Sequence, residues 1–271
     1  MLLNNKNCSN CHAYYDPTLK ECPICHKGNE LYELRRVPKN VLFFHPAIQI
    51  ALFLIGFAYG GMFLTELIVA LFVVGSGAEK ELANALLNFI TYFLLFGILI
   101  FVCLSSRTKL FVKSFTHRFD YLFGLAYAGV MIGVVLLIGF ITSHFYQDSN
   151  ANQTAIVNMI HNYPILAGFV ICFLGPVCEE IAYRIGLYSF LRRINIIPAI
   201  IVTTIIFAFI HFDFTAENMI AELWSLPAYL VCGALLSLAY EHRGPACAIT
   251  AHIAYNITSM VIVLLESAYG Q

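Results

Sequence analysis

The chain has 271 residues, of which 60% are hydrophobic and only 11% are charged, with a formal net charge of −1 and a mean hydropathy of +0.78. A soluble domain usually carries about a quarter charged residues, so this composition excludes an ordinary soluble enzyme or binding module. Several apolar runs reach the roughly 20 residues that a membrane-spanning helix needs. The sequence therefore predicts an all-α polytopic membrane protein.

The first 30 residues form a polar head that differs in composition from the rest of the chain. Its two Cys-x-x-Cys pairs have the ligand spacing of a zinc ribbon, and their members are Cys8, Cys11, Cys22 and Cys25. A core this small needs bound metal to fold, whereas the alternative, two disulfides, requires an oxidising compartment. We therefore predict a structural Zn²⁺ in a zinc-ribbon-like cytosolic module at 1–30, which could also bind a protein partner.

A basic linker at 31–45, with Arg35, Arg36 and Lys39, precedes a predicted transmembrane domain at 46–271. Apolar runs predict about seven membrane helices, at roughly 46–75, 84–104, 120–143, 163–191, 197–212, 226–241 and 246–265. Inside the fourth of these, Pro176 follows Gly175. We expect a kink there, because proline removes a backbone hydrogen bond.

Lysine and arginine concentrate in alternate loops. The loops after the second, fourth and sixth predicted helices carry Arg107, Lys109, Lys113, Arg118, Arg192, Arg193 and Arg243, whereas the other loops carry Lys80 alone. Cytosolic loops are enriched in these residues. We therefore expect a multi-pass protein of the cell membrane, embedded in the lipid bilayer, with its N-terminus and zinc ribbon in the cytosol. No long basic tail occurs, and no nucleic-acid partner is expected.

Three polar motifs lie within the apolar segments of about 163–265, the core of the predicted domain. They are Glu179-Glu180-x-x-x-Arg184, Phe207-x-x-x-His211 and His252-x-x-x-Asn256. An ionisable residue in a membrane helix costs roughly 3 kcal/mol on insertion scales, so such residues are usually paired and functional. A single buried histidine is more often structural than catalytic. Burying two carboxylates, two imidazoles and an amide together without a function would be costly.

The spacing within the first motif predicts different roles for Glu179 and Glu180. Glu180 and Arg184 are four residues apart and share a helix face, which favours a buried ion pair. Glu179 points about 100° away from that face. It is therefore the carboxylate that is left to act as a general base toward water.

Two hydrolytic mechanisms remain open at this point. In the first, Glu179 and His211 position and deprotonate a water molecule, while His252 and Asn256 stabilise the oxyanion. In the second, His211, His252 and a glutamate bind a catalytic metal that activates the water. The His-Glu-x-x-His signature of many zinc proteases does not occur in the sequence.

The order and spacing of the three motifs resemble the CPBP intramembrane proteases. That family includes the CAAX prenyl endopeptidase of the Rce1 type and bacterial Abi proteins linked to bacteriocin self-immunity. The resemblance covers roughly 120–265 and is most specific between Gly175 and Asn256. The zinc-ribbon-like head is an accessory that only some relatives carry.

This resemblance implies an intramembrane peptidase, a hydrolase described in the family as a metalloprotease although a glutamate mechanism has also been proposed. Its site would open toward the membrane interior and the cytosol. The catalytic residues would be Glu179, His211, His252 and Asn256, with Glu180 and Arg184 in support. An unmodified peptide or membrane-protein substrate is expected rather than a prenylated one.

Two readings from other functional classes compete with a peptidase. The chain could be a catalytically silent membrane scaffold, or a bacteriocin self-immunity protein, that recruits partners through the zinc ribbon. The intact motif set favours an enzyme, because a decayed enzyme would be expected to have lost a catalytic group. A transporter is less favoured, because the polar residues cluster in one half of the chain without paired broken helices.

Overall fold

A computed structural model describes residues 6–15, 19–29, 41–60 and 80–269. Most of the predicted linker, with Arg35, Arg36 and Lys39, lies outside the described residues. So does the C-terminal half of the first predicted membrane helix.

The N-terminal head contains two short strands and two similar turns. Strand β1 (Lys6–Asn7) pairs antiparallel with β2 (Tyr14–Tyr15). In the first turn the His12 N–H donates to the Cys8 carbonyl, and in the second the His26 N–H donates to the Cys22 carbonyl, both at 2.9 Å. Both histidines have a positive φ, near 58° and 57°, which lets the backbone fold back after each Cys-x-x-Cys pair.

The rest of the described chain is helical. The helices are α1 (Pro46–Gly60), α2 (Lys80–Lys113), α3 (Arg118–Ser143), α4 (Ala151–Asn162), α5 (Pro164–Arg192), α6 (Ile196–Phe209), α7 (Met219–Arg243) and α8 (Pro245–Tyr269). Five of them, α2, α3, α5, α7 and α8, are long and apolar enough to cross a membrane, and α1 and α6 are shorter apolar helices. The prediction of an all-α polytopic membrane protein is confirmed.

Helix α5 lies at the centre of the bundle and carries the first motif. Its spanning window is 61% buried, whereas the corresponding windows of the other four long helices are 17–28% buried. The helix is π-helical at Val170–Leu174 and Glu180–Tyr188. Such wide turns are uncommon and are frequent at functional sites. Pro176 lies two residues after the end of the first of them, and the helix continues through the proline.

Helix α1 packs against α5 at unusually short range. A Cβ added to Gly186 would lie 2.9 Å from the Phe53 backbone nitrogen and 3.0 Å from the Gln49 carbonyl oxygen. Small residues permit such backbone contacts between membrane helices. A side chain at this position would therefore push α1 away from the helix that carries the acidic motif.

Buried charges hold the end of the bundle where the basic loops lie. Arg192 donates from Nη2 to Glu241 Oε1 at 2.9 Å, and its Nε lies 3.1 Å from both carboxylate oxygens. The Tyr188 hydroxyl donates to the same carboxylate at 2.8 Å. These contacts join α5 to α7. Part of the positive charge that sets the predicted orientation therefore also stabilises the fold.

Two local features differ from the predicted elements. The connection between the third and fourth predicted spans contains a helix, α4, which is capped where the Asn150 side chain accepts the Gln153 N–H at 3.0 Å. Helix α6 has 14 residues and a length of about 21 Å, which is too short to cross a hydrocarbon core of about 30 Å.

Candidate active site

One cavity of about 560 Å³ brings the three motifs together. Helix α5 contributes Glu179, the end of α6 contributes Phe207, the turn after α6 contributes His211, and α8 contributes His252 and Asn256. Glu180 and Arg184 lie behind this wall, where they are almost completely buried. All six predicted site residues therefore lie in or directly behind the wall of a single cavity.

Glu180 and Arg184 form the buried ion pair that supports the site. The Arg184 Nε lies 3.3 Å from Glu180 Oε2, with side-chain exposures of 0% and 1%. The guanidinium also lies over the Phe207 ring, 4.8 Å from its centroid, which is cation–π geometry. The ion pair therefore links the first motif on α5 to the second on α6.

His252 lies between the two carboxylates of the first motif. Its Nδ1 is 3.0 Å from Glu180 Oε1, and its Nε2 is 3.9 Å from Glu179 Oε2. Because a carboxylate accepts, Nδ1 carries the proton in the contact with Glu180. The ring is thereby oriented with Nε2 toward Glu179 and the cavity.

Glu179 has the least satisfied carboxylate of the site. Its side chain is 18% exposed, and Oε2 is buried without a hydrogen-bond partner among the described residues. Gly175 leaves space beside the other oxygen, since a Cβ there would lie 3.9 Å from Glu179 Oε1. A buried oxygen of this kind needs a partner, and the cavity offers room for water or for a substrate group.

His211 has a defined tautomer and a fixed ring plane. Its Nδ1 lies 2.8 Å from the Phe207 carbonyl oxygen, which can only accept, so Nδ1 is protonated. The ring stacks on Tyr229 with centroids 4.7 Å apart and an angle of 18°. When the imidazole is neutral, Nε2 therefore carries the lone pair that could accept a proton or a hydrogen bond from water.

Asn256 makes a contact that the sequence analysis did not foresee. In the π-helical turn, the Gly175 N–H donates to the Val170 carbonyl. The next carbonyl, that of Ile171, faces Pro176, which has no N–H. The Asn256 Nδ2 donates to this carbonyl at 2.8 Å. An amide has two N–H donors, so contact with an oxyanion would have to use the second one.

A polar network around Glu222, to which the sequence analysis gave no role, surrounds the second motif. Glu222 is 1% exposed and accepts the backbone N–H groups of Ala151 at 2.8 Å and Asp213 at 3.0 Å. Asn150 donates to the His211 carbonyl at 3.3 Å. These contacts tie α4, α7 and the loop after α6 together, which holds His211 in place.

The sequence contains weak signals for this network. Glu222 is a lone carboxylate in an apolar stretch, and Asn150 precedes a run with helical apolar spacing. Tyr229, which stacks on His211, has no recognisable signal. Its hydroxyl accepts from Asn152 at 3.0 Å, a contact between segments 77 residues apart.

The donors of the second mechanism do not converge on a metal-binding geometry. In the described part of the chain, the four head cysteines are the one group of three or more His, Cys, Asp or Glu ligand atoms that lie within 4.8 Å of one another. The His252 Nδ1 is engaged by Glu180. As placed, the side chains of the cavity fit a water-activating site better than a three-ligand metal site.

The four cysteines of the head are arranged to hold one metal ion. The Sγ atoms of Cys8 and Cys25 are 3.5 Å apart, and those of Cys11 and Cys22 are 3.6 Å apart. Tetrahedral zinc with Zn–S bonds of about 2.3 Å requires sulfur separations of about 3.8 Å. The donor set therefore fits a thiolate-bound metal.

The part of the chain that contains the three motifs matches a known protein family. Residues 160–258 match the family described as Rce1-like, type II CAAX prenyl endopeptidase Rce1-like. This part of the chain is similar to that family. The predicted resemblance is confirmed, and the Rce1-like region contains all three motifs. At the level of the family, it supports an intramembrane CAAX-type endopeptidase. Neither the curated proteins nor the solved structures give a match to the chain.

Proposed function

We propose that this multi-pass membrane protein is an intramembrane endopeptidase that hydrolyses a peptide bond of a membrane-associated protein or peptide. The observation that carries the proposal is the Glu179 carboxylate, which has a buried oxygen without a hydrogen-bond partner among the described residues. It faces a cavity that His211, His252 and Asn256 also line, within the Rce1-like region.

In the proposed reaction, Glu179 acts as the general base. It takes a proton from a water molecule whose oxygen forms a bond to the carbonyl carbon of the scissile peptide. His211 positions that water by accepting a hydrogen bond at Nε2, which is available because Nδ1–H is held by the Phe207 carbonyl. General-base catalysis of this kind contributes about 10²- to 10⁴-fold to the rate.

The attack converts the carbonyl oxygen into an oxyanion. The second N–H of Asn256 donates to it, and so does His252 when its Nε2 is protonated. When the intermediate collapses, the carbon–nitrogen bond breaks, and Glu179 delivers the proton it took from water to the leaving nitrogen. The products are a carboxylate and an amine, so water is the only co-reactant.

Glu180 and Arg184 act as positioning residues in this mechanism. Glu180 orients His252 through Nδ1, and Arg184 neutralises the Glu180 carboxylate. Glu179 therefore remains the carboxylate that is available to the substrate. The different roles of Glu179 and Glu180 therefore follow from the hydrogen bond between Glu180 and His252 and the ion pair between Glu180 and Arg184.

The head is proposed to be a cytosolic zinc module, separate from the transmembrane domain that begins at residue 46. Metal content measured by mass spectrometry separates this structural site from a catalytic one. We expect zinc to be lost from a variant with serine at Cys8, Cys11, Cys22 and Cys25, and to be retained in a His211→Ala/His252→Ala variant. A metal equivalent that disappears with the histidines would contradict the water mechanism and support a metal-bound site.

The direct test is hydrolysis in isotopically labelled water. The protein is reconstituted in lipid vesicles with a library of membrane-anchored peptides in H₂¹⁸O, and the products are analysed by mass spectrometry. We expect cleaved peptides whose new C-terminus carries one ¹⁸O atom. A folded protein that cleaves no peptide in the library, and captures partners through its head alone, would support the scaffold instead.

A further inference from the structure

The wall of the cavity includes residues that lie outside the Rce1-like region. Helix α2 contributes Asn88, Tyr92 and Leu95 to the lining, whereas the family match begins at residue 160. These three positions follow one another at intervals of four and three residues, so they share one face of α2. That face is turned toward the cavity, and it brings the hydroxyl group of Tyr92 to the site.

Helix α2 packs against α5 next to the proposed general base. The thiol of Cys178, which directly precedes Glu179, donates to the Tyr92 carbonyl oxygen, with 3.8 Å between sulfur and oxygen. One turn further along each helix, the rings of Phe96 and Phe173 are in contact, with centroids 6.0 Å apart. These contacts hold the backbone of Tyr92 in place relative to the carboxylate.

Tyr92 and Glu179 border the same small space beside Gly175. A Cβ added to Gly175 would lie 3.8 Å from Tyr92 Cε1 and 3.9 Å from Glu179 Oε1. Both distances are ordinary van der Waals contacts, so the glycine leaves a gap about the size of a methyl group between the ring and the carboxylate. A water molecule in such a gap can bridge two polar groups.

Hydrogen bonds within the described residues do not fix the orientation of the Glu179 carboxylate. Its Oε2 lies 3.9 Å from His252 Nε2, which is beyond hydrogen-bonding distance. Neither oxygen has a hydrogen-bond partner in the described part of the chain. Because the last torsion of a glutamate side chain is broad, the helix alone does not set the plane of the carboxylate. A general base at this position therefore needs a donor that holds it toward the water.

The Tyr92 hydroxyl is such a donor. The side chain lines the cavity and is half-buried, and its hydroxyl makes no hydrogen bond with another described residue. A tyrosine hydroxyl in a buried setting usually has a partner. It can donate, whereas an ionised carboxylate can only accept, so the two groups are complementary.

We propose that Tyr92 is a positioning residue for the Glu179 base. Its hydroxyl donates to Glu179 Oε1, directly or through one water molecule in the gap beside Gly175, and thereby fixes the plane of the carboxylate. This inference rests on the proposed function and adds to it a residue from α2, outside the Rce1-like region. No bond of Tyr92 is formed or broken during the reaction.

The first test is Tyr92→Phe, which removes the hydroxyl and keeps the ring. Cleavage is measured in lipid vesicles with the peptide that the wild-type protein cleaves fastest. We expect kcat to fall by about tenfold, the effect of losing one hydrogen bond to a charged group. KM should stay within about twofold, because the hydroxyl acts on the base and not on the bound substrate.

Tyr121→Phe is the matched control for the loss of a tyrosine hydroxyl. The Tyr121 hydroxyl donates to the Phe115 carbonyl at 2.8 Å, and the residue does not line the cavity. We expect this variant to cleave at the wild-type rate.

Tyr92→Leu separates the hydroxyl from the packing of the ring. Denaturant unfolding in micelles first establishes that each variant is folded. If Tyr92→Phe cleaves at the wild-type rate and only Tyr92→Leu is slower, the ring merely packs the site. That result would overturn the proposed role of the hydroxyl and leave the peptidase intact.

A double variant tests whether Tyr92 acts through Glu179. In the Glu179→Gln protein no base remains to be oriented, so adding Tyr92→Phe is expected to change the residual rate by less than about twofold. Effects of the two substitutions that multiply would show that the hydroxyl acts independently of Glu179, and would overturn the proposal. A folded wild-type protein that cleaves no peptide would contradict the proposed function and this inference with it.

Discussion

The buried ion pair between Glu180 and Arg184 provides a quantitative test of how the site is supported. Arg184→Met removes the cation but keeps an apolar side chain of similar length, which leaves the Glu180 carboxylate with His252 as its remaining partner. Breaking a buried ion pair by removing one member costs about 3–5 kcal/mol. The two side chains are 0% and 1% exposed, so solvent provides little compensation. We expect Arg184→Met and Glu180→Gln each to destabilise the protein by this amount.

The double variant distinguishes an ion pair from two independent residues. Glu180→Gln/Arg184→Met removes both charges, so no uncompensated charge is left in the interior. We expect its loss of stability to be about as large as that of either single variant or smaller, and the coupling energy to be about 3 kcal/mol. The free energy of unfolding of a typical domain is about 5–15 kcal/mol, so changes of this size are easily measured.

Denaturant unfolding in detergent micelles measures these free energies. The chain has one tryptophan, Trp224, which lines the cavity, so its fluorescence reports on that part of the fold. Arg118→Met is the control, because Arg118 is exposed at the start of α3, and a change within about 0.5 kcal/mol is expected. The buried ion pair would be refuted as a source of stability if each single variant lost less than about 1 kcal/mol of unfolding free energy. It would also be refuted if the losses of the two single variants simply added in the double variant.

Three further predictions concern packing, polar contacts and metal. Gly186→Ala is expected to destabilise the protein by about 1–3 kcal/mol in unfolding measurements, because the new Cβ meets the α1 backbone; Gly97→Ala, with open space around it, should not. Glu222→Gln should cost about 1–3 kcal/mol and lower activity, because the amide nitrogen cannot accept one of the two backbone N–H groups that the buried carboxylate accepts; the exposed Glu266→Gln should change neither. Cys8→Ser should reduce bound zinc, measured by mass spectrometry, without abolishing peptide cleavage, and unchanged zinc would contradict the assigned ligand set.

The ion pair and the helical class could be predicted from local patterns. Spacing of four residues is enough to place Glu180 beside Arg184, and continuous apolar runs are enough to predict membrane helices. The metal site of the head could also be predicted, because the spacing of its cysteines is the spacing that a tetrahedral zinc site requires. In each case the relevant contact lies within a few residues or within one short motif.

Contacts between distant segments could not be predicted in this way. The stacking of Tyr229 on His211 and the hydrogen bond from Asn256 to Ile171 join segments that are 18 and 85 residues apart. The second arises from a wide turn before Pro176, and helical periodicity does not indicate π-helical turns. Helix α4 is too polar to be recognised as a membrane span from its sequence, although its Asn150 cap is a recognisable helix start signal.

The most direct test of the proposed mechanism compares the cleavage rate of Glu179→Gln with that of the wild-type protein. The amide is nearly isosteric with the carboxylate but cannot act as a base, so the rate is expected to fall by about 10²- to 10⁴-fold. The free energy of unfolding should not decrease appreciably, because Glu179 Oε2 has no hydrogen-bond partner within the described residues. A folded Glu179→Gln protein that cleaves at the wild-type rate would contradict the account.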